Sequence, residues 1–467
     1  MNKPRHHAIA LALAATLPSL ALAQSNDELM KELRALKERV TQLEAALKAK
    51  DAAKPAEGDN KQWGMTPAQV QDFNRISVKT EALEDAIEAQ GLKGLKISGV
   101  IDPTYIYNRR QRTASFAFLN NFSGAESFAY DNSYFGMAVI DFQKELEGGT
   151  RWRLTLSPHK SVGSNYNFPS IVHEASVSIP LGDLQTRFWA GQIPDWSGYE
   201  YYLANQTKFI THGMMFDFLA PTFYTGLGTD ITRGKWQIKT AIANMNSARY
   251  NVADDGRALR SPVFSARVDY AKGEFNGWGS AVQLGRTTNN VAGSYSGLVN
   301  AEVDGYFIRG DLTFQGQLNY GQQKNAAFNG GDARWYGGSV LGAYKITPRF
   351  ELAARLDYIN NKKNGGGTFN LAFPCDAAGV CSPDGRNGFG PGMVFDDATG
   401  LWGVTDPDTG ANRYAFSLGV NYALTTNASL KLEYRYDRAS LPVFISLPDG
   451  SYKKDNHLLG TSVVVSF

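Results

Sequence analysis

In the stretch SLKLEYRYD, residues 429–437, Leu430, Leu432, Tyr434 and Tyr436 alternate with Lys431, Glu433, Arg435 and Asp437. Successive side chains of a β-strand point to opposite faces, so a face of four charges backs onto one that is aliphatic and then aromatic. A soluble core does not accept the charged face. A strand standing between lipid and water does, with Leu against acyl chains and Tyr at their border.

The same period of two recurs from Leu95 onward. In LKISGVIDPTYIY, Leu95, Ile97, Ile101, Tyr105 and Tyr107 share one parity and Lys96, Ser98, Asp102 and Thr104 the other; in TRWRLTLS, Trp152, Leu154 and Leu156 oppose Arg151, Arg153 and Thr155. About sixteen such segments can be placed, near residues 95–108, 132–145, 150–160, 170–179, 184–193, 223–233, 235–246, 261–271, 274–286, 301–309, 311–323, 333–345, 349–360, 412–423, 428–438 and 456–467. LEGG, PLGD, the Arg233–Gly234 region, KG, GD, ITP and LTTN are tight connections, whereas their neighbours run from roughly ten to fifty residues. Short turns at one end and long loops at the other, with an even strand count, predict an all-β transmembrane barrel of antiparallel strands with both termini on the turn side. A strand of about ten residues tilted about 45° crosses a bilayer's apolar core. Such alternation also explains a chain with 47 Gly and 12% aromatic residues but a mean hydropathy of only −0.31. A large soluble β-sandwich shares that composition but not the alternation of turn lengths.

The ends agree with export. MNKPRHHAIALALAATLPSLALAQ carries Lys3 and Arg5, an apolar run from Ala8 to Leu17, and Ala21-Leu22-Ala23, which reads as a signal peptide over 1–23. No later stretch has 18 apolar residues in a row, so a helical span is not expected. Without Lys3 and Arg5, 45 basic residues balance 45 acidic ones, a charge that gives nucleic acid no footprint. At the other end Leu459, Thr461, Val463, Val465 and Phe467 take alternate positions.

Between leader and barrel the period is helical. Leu29, Leu33, Leu36, Val40, Leu43 and Leu47 are spaced four and three, with Glu32, Lys37, Arg39 and Glu44 flanking them, predicting a short coiled coil over 24–50. Leu33, Val40 and Leu47 at a, with Leu29, Leu36 and Leu43 at d, do not select two strands over three. A polar linker over 51–65 follows. Thr66-Pro67-Ala68-Gln69 opens a helical segment over 66–91, with Phe73, Ile76, Thr80, Leu83 and Ile87 on one face. The barrel takes 92–467.

Parity places Lys96, Arg151, Arg153, Lys239, Arg267, Arg355, Lys431 and Arg435 on the inner wall, beside Asp102, Asp141, Glu174, Asp269, Glu351, Asp357, Glu433 and Asp437. A uniform basic ladder would filter anions strongly; this mixed lining predicts at most a mild anion preference, supplied by Arg151 and Arg153, which lack an acid on their own strand face. Catalysis finds little support. The mature chain keeps His159, His173, His212 and His457, without a GxSxG elbow, HExxH or P-loop. His173 shares the lipid-facing parity of Ile171, Ala175 and Val177, while Glu174 faces inward, a poor acid–base pair. Cys375 and Cys381, alone in a long loop of an exported chain, are expected to form a disulfide. Asp396, Asp397, Asp406 and Asp408 in the same loop have a composition compatible with Ca²⁺, but solvated acidic loops are the commoner reading, and no metal or cofactor is assigned.

The terminal stripe ending in Phe467 resembles the C-terminal signature of outer-membrane proteins. The leader, heptad helix, linker and strand pattern beginning at KGLKISGVIDPTYIY resemble the trimeric porins with periplasmic coiled coils, including dicarboxylate-type and phosphate-selective-type channels. QWGMTPAQVQDFNRISVKTEALEDA, DNSYFGMAVIDFQKE and AGQIPDWSGYEY are more closely similar to a proteobacterial family of porin-like proteins without assigned function. This resemblance implies a Gram-negative outer-membrane location, contact with its lipids, a homotrimer, and an N-terminal extension in the periplasm acting as a spacer toward peptidoglycan. It also implies a third loop folded inward as a constriction, here Pro194 to about Pro221 with Asp195, Glu200, Lys208, His212 and Asp217. The expected function is passive diffusion of small hydrophilic solutes. The alternatives are a non-conducting scaffold or adhesin-like barrel and, less favoured, an outer-membrane hydrolase.

Overall fold

The computed structural model describes residue 35, residues 37–42, residue 45, residues 67–89 and residues 93–467, excepting in the last span 119–134, 158–170, 222, 246–261, 290, 292–293, 368–385 and 387. The leader at 1–23, the linker at 51–65 and both cysteines, Cys375 and Cys381, lie outside the described residues. So do Leu29, Leu33, Leu36, Leu43 and Leu47 of the heptad pattern.

The chain divides into two units, residues 1–93 and 94–467. In the first, α1 spans Pro67–Ala89, beginning where Thr66-Pro67 predicts, and the described residues from 35 to 45 are helical. Ile76 is buried while Phe73, assigned to the same face, is half exposed.

The second unit is a closed barrel of sixteen antiparallel strands. They are β1 (Leu95–Ile101 and Thr104–Asn108), β2 (Thr113–Ala117 and Ala138–Glu145), β3 (Arg151–Leu156), β4 (Val172–Leu181), β5 (Asp183–Pro194), β6 (Phe223–Arg233), β7 (Trp236–Met245) and β8 (Val263–Gly273). The rest are β9 (Asn276–Asn289), β10 (Ser294–Arg309), β11 (Leu312–Gln323), β12 (Ala333–Thr347), β13 (Phe350–Asn360), β14 (Arg413–Ala423), β15 (Ala428–Ala439) and β16 (Asp455–Ser466). Each pairs with its sequence neighbours, and β16 closes on β1 through Val100↔Ser466 and Thr104↔Ser462. Closure satisfies backbone donors and acceptors that would otherwise face lipid. The terminal residue takes part: Phe467 and Gly99 exchange backbone hydrogen bonds of 3.0 and 3.1 Å. The Phe467 ring lies where a side chain at Gly99 would sit, and a Cβ there would also come within 2.8 Å of the Val139 carbonyl oxygen.

The outer face carries the apolar parity. Leu432, Val463, Val465, Leu356 and Leu318 are exposed on it, and Lys431, Glu433, Arg435 and Asp437 are buried on the other. Trp236 packs its ring on Tyr270 at 4.7 Å and edge-on to Trp278 at 5.8 Å near the turn end. Tyr336, Tyr358 and Tyr414 form a second belt near the loop end, with the latter two rings 4.9 Å apart. Tyr414 and Tyr422 are separated by eight residues of one strand, about 20 Å across a tilted sheet, close to the apolar band of an outer-membrane barrel. Among the described residues no helix is long and apolar enough to cross a membrane.

Three local departures from strict alternation matter. Strand β1 breaks at Asp102-Pro103, since proline offers no donor to the ladder; the Asp102 carboxylate fills the gap by accepting from Gly136 N at 3.0 Å and Met137 N at 2.6 Å. Strand β2 starts directly after a tight turn at 109–112, leaves the sheet after Ala117 and re-enters at Ala138. The expected long loop before residue 132 is therefore an insertion within a strand. Finally, Thr155 pairs with Glu174 and Leu156 with Val172, so His173 is the extra residue of a bulge. It turns inward and stacks on Tyr202 at 4.1 Å, correcting the lipid-facing position that parity gave it.

Candidate functional site

The segment from Asp195 to Pro221 folds into the barrel rather than away from it. Its buried residues include Phe209, Ile210, Thr211 and His212, followed by α2 (Met214–Leu219). Met214, Met215, Phe218 and Leu219 pack with Trp335, Ile359, Leu298 and Val263, inward-pointing apolar residues near the loop ends of β12, β13, β10 and β8. These strand residues break the rule of a polar inner face because a chain segment, not water, covers them.

Four of the five loop residues singled out from sequence hold the segment through their side chains, and the fifth, Asp217, is buried in its helix. Asp195 accepts from Ser197 N at 2.8 Å and Ser197 Oγ at 3.0 Å, fixing the turn into the lumen. Glu200 receives Arg355 Nη1 at 2.7 Å and Gly213 N at 2.6 Å. Lys208 pairs with Glu351 at 2.8 Å. His212 Nε2 meets the Tyr201 carbonyl oxygen at 2.8 Å and its ring stacks on Phe216. Asp217 is buried within α2, its N–H donating to Gly213 O at 3.0 Å.

All nine expected wall residues lie on inward parity, and all but Lys239 fall into two groups. Arg355, Lys431 and Arg435 are covered by the loop. Lys431 Nζ donates to the carbonyl oxygens of Ala204 and Thr207, each at 2.6 Å, and Arg435 Nη1 reaches Thr211 Oγ1 at 3.2 Å and His212 O at 3.1 Å. Between them Glu433 accepts Ile210 N at 2.8 Å, Thr211 N at 2.7 Å and Thr211 Oγ1 at 2.7 Å. On the opposite wall Arg267 binds Asp269, Glu302 and Asp304 at 2.7, 3.1 and 2.7 Å, and Glu302 in turn accepts Gly198 N at 2.6 Å. The loop is thus anchored to both walls by desolvated, mutually compensated charge.

The second group faces open space. Lys96, Arg151, Arg153 and Glu174, with Gln143, Glu145, Ser176 and Ser178, line a cavity of about 550 Å³ at the turn end. Register explains it: Lys96, Gln143, Arg153 and Ser176 form one row across β1 to β4, and Glu145, Arg151 and Ser178 the next. Arg151 pairs with Glu145 at 2.9 Å, and Arg153 with Asp141 at 2.8 Å and Glu174 at 3.2 Å. The two arginines do lack an acid on their own strand, but the strands on either side supply one or more, which removes the expected excess of positive charge. Lys239 is half-buried on β7, in register with Arg267.

Sequence reasoning missed Glu302, Asp304 and Arg413. The first two lie in 301–309, share inward parity with Asn300 and were findable; Arg413, which donates to Asp437 at 2.9 Å and lies over the Phe218 and Phe389 rings, stands at a strand end where parity is weakest. In the acidic loop, Ala398 N and Thr399 Oγ1 bind Asp396 and hold its carboxyl below the usual range, a turn rather than a ligand cluster. Among the described residues no group of three or more His, Cys, Asp or Glu is placed to hold a metal.

The family described as Protein of unknown function (DUF3138) matches residues 65–467. No curated protein matches the chain. Among solved structures, the barrel is similar to the anion-selective porin from Comamonas acidovorans, at 10% identity over 80% of this chain and 99% of that one, with a TM-score of 0.48. It is also similar to the trimer form of OmpT, an outer membrane protein of Vibrio cholerae, at 11% identity over 80% and 99%, TM-score 0.48. OprB of Pseudomonas putida matches at 8% identity over 80% and 94%, TM-score 0.47.

Proposed function

From a chain that belongs to the DUF3138 family of proteins of unknown function, we propose an outer-membrane porin through which small hydrophilic solutes diffuse passively. One observation carries the reading: the closed barrel is apolar outside and charged inside, and its charged rows open into a turn-end cavity of about 550 Å³. The constriction is the inward loop from Asp195, and the accessible wall is the β1–β4 side. The protein then sits in the outer membrane of a Gram-negative bacterium, with its leader removed after Ala23, its N-terminal helices in the periplasm and three copies assembled together.

A second reading is favoured by the anchoring of the loop to both walls: a barrel that does not conduct. Planar-bilayer recording of the purified protein separates the two. Stepwise conductance supports the porin, and an intact barrel that gives no steps over a wide range of voltage overturns it.

A further inference from the structure

The outer wall carries a feature that a pore does not need. Across β11 to β15, Leu318, Gly338, Tyr358, Tyr414 and Arg438 occupy one register row, and Val340, Leu356, Phe416 and Tyr436 the next row toward the turn end. Gly338 is the gap in this wall. Its place faces outward between Leu318 and Tyr358, and a Cβ built there would lie 2.9 Å from Leu318 Cδ2. The result is a groove of about 420 Å³ with aliphatic and ring walls that ends at Arg438.

The groove's loop-end border is basic. Arg438 is exposed at its rim, Arg334 is exposed on the outward parity of β12 beyond Tyr336, and Lys362 is exposed just past β13. Acids that could neutralise them are engaged elsewhere: Asp332 with Lys324 at 3.0 Å, and Asp455 with Arg110. An apolar slot walled by belt tyrosines and rimmed by Arg438, with Arg334 and Lys362 four positions further toward the loop end on β12 and past β13, matches an amphiphile with an acyl chain and a negative head. A second copy of the chain would meet these cations with the same cations if it packed here about a twofold axis.

We propose that this face is a binding site for a phosphate-bearing lipid of the leaflet on the loop side. One acyl chain lies in the groove over Gly338, the phosphate meets Arg438 at the groove's end, and Arg334 and Lys362 add positive charge on the side of the head group. The site is independent of whether the pore conducts, so failure of either reading leaves the other standing.

The test is native mass spectrometry of the detergent-extracted full chain, with dipalmitoyl phosphatidic acid or the phosphate-free diacylglycerol of the same chains added. The wild type should retain phosphatidic acid at least about fivefold more than diacylglycerol. The triple variant Arg334→Gln, Lys362→Gln, Arg438→Gln should retain both lipids equally. Gly338→Leu should lower retention of both by filling the slot; should that variant not form a barrel, the triple variant, altered only at exposed positions, still decides. Equal retention of the two lipids by the wild type, or undiminished phosphatidic acid on the triple variant, overturns the proposal. So does a disulfide formed between copies through Leu356→Cys, which would put a second copy on this face.

Discussion

Glu433 shows what a single side chain can do inside this barrel. Its two oxygens accept all three donors that residues 210 and 211 present, and Arg355 lies 3.9 Å away. A glutamine there has one accepting oxygen and would turn an NH₂ toward backbone N–H groups. Each lost charge-assisted bond is worth about 1.5–3 kcal/mol. Glu433→Gln should therefore free the loop while leaving the wall intact, seen as larger and noisier single-channel current with unchanged heat-modifiability on gels. Unchanged current would mean that the loop is held by its other anchors. The inward direction of Glu433 was readable from alternation in SLKLEYRYD. Its partners were not, because they lie more than 200 positions earlier in the chain, and periodicity carries no information about which distant segment covers a face.

At the scale of the element, strands were legible and their interruptions were not. Each of the sixteen strands overlaps a segment read from alternation, because a lipid-facing residue at every second position leaves a regular trace, although Thr113–Ala117 of β2 and the first half of β10 lie outside those segments. The insertion within β2 and the bulge at His173 leave none, since one extra residue resets parity without changing composition. The break at Pro103 was announced by proline, but its repair depends on Asp102 meeting two backbone donors from 136 and 137. Asp102→Ala leaves both N–H groups buried without that acceptor and should cost about 2–4 kcal/mol, measurable in urea unfolding of barrel refolded into liposomes. Gly99→Val attacks the same strand from the seam: its side chain collides with the Phe467 ring and the Val139 carbonyl. The temperature at which the compact band converts to the extended one should fall by several degrees. If it does not, the terminal ring is free to move aside and does not seal the barrel.

For the whole molecule, the outer surface was legible and the filling of the interior was not. Parity gives the sign of each wall, whereas the apolar packing of α2 against Trp335 and Ile359 follows only once the loop is known to enter. The proposed trimer is checked by light scattering in detergent: three chains per particle are expected, and one chain would refute it. Selectivity is a sum over the molecule as well. On the inward face of β1–β4 near the turn end Lys96, Arg151 and Arg153 stand with Asp141, Glu145 and Glu174, three charges of each sign on three successive rows of the wall. A mouth so balanced should discriminate little, with a reversal potential within about 10 mV of zero in a tenfold KCl gradient, against about 59 mV for an ideal filter. Replacing Arg151 and Arg153 by Gln leaves three carboxylates facing Lys96 alone, so the potential should move toward that of K⁺. Replacing Glu145 and Glu174 by Gln should move it the other way. If neither pair shifts the potential, ions are selected elsewhere, at the loop itself, and the β1–β4 rows merely line a wide entrance.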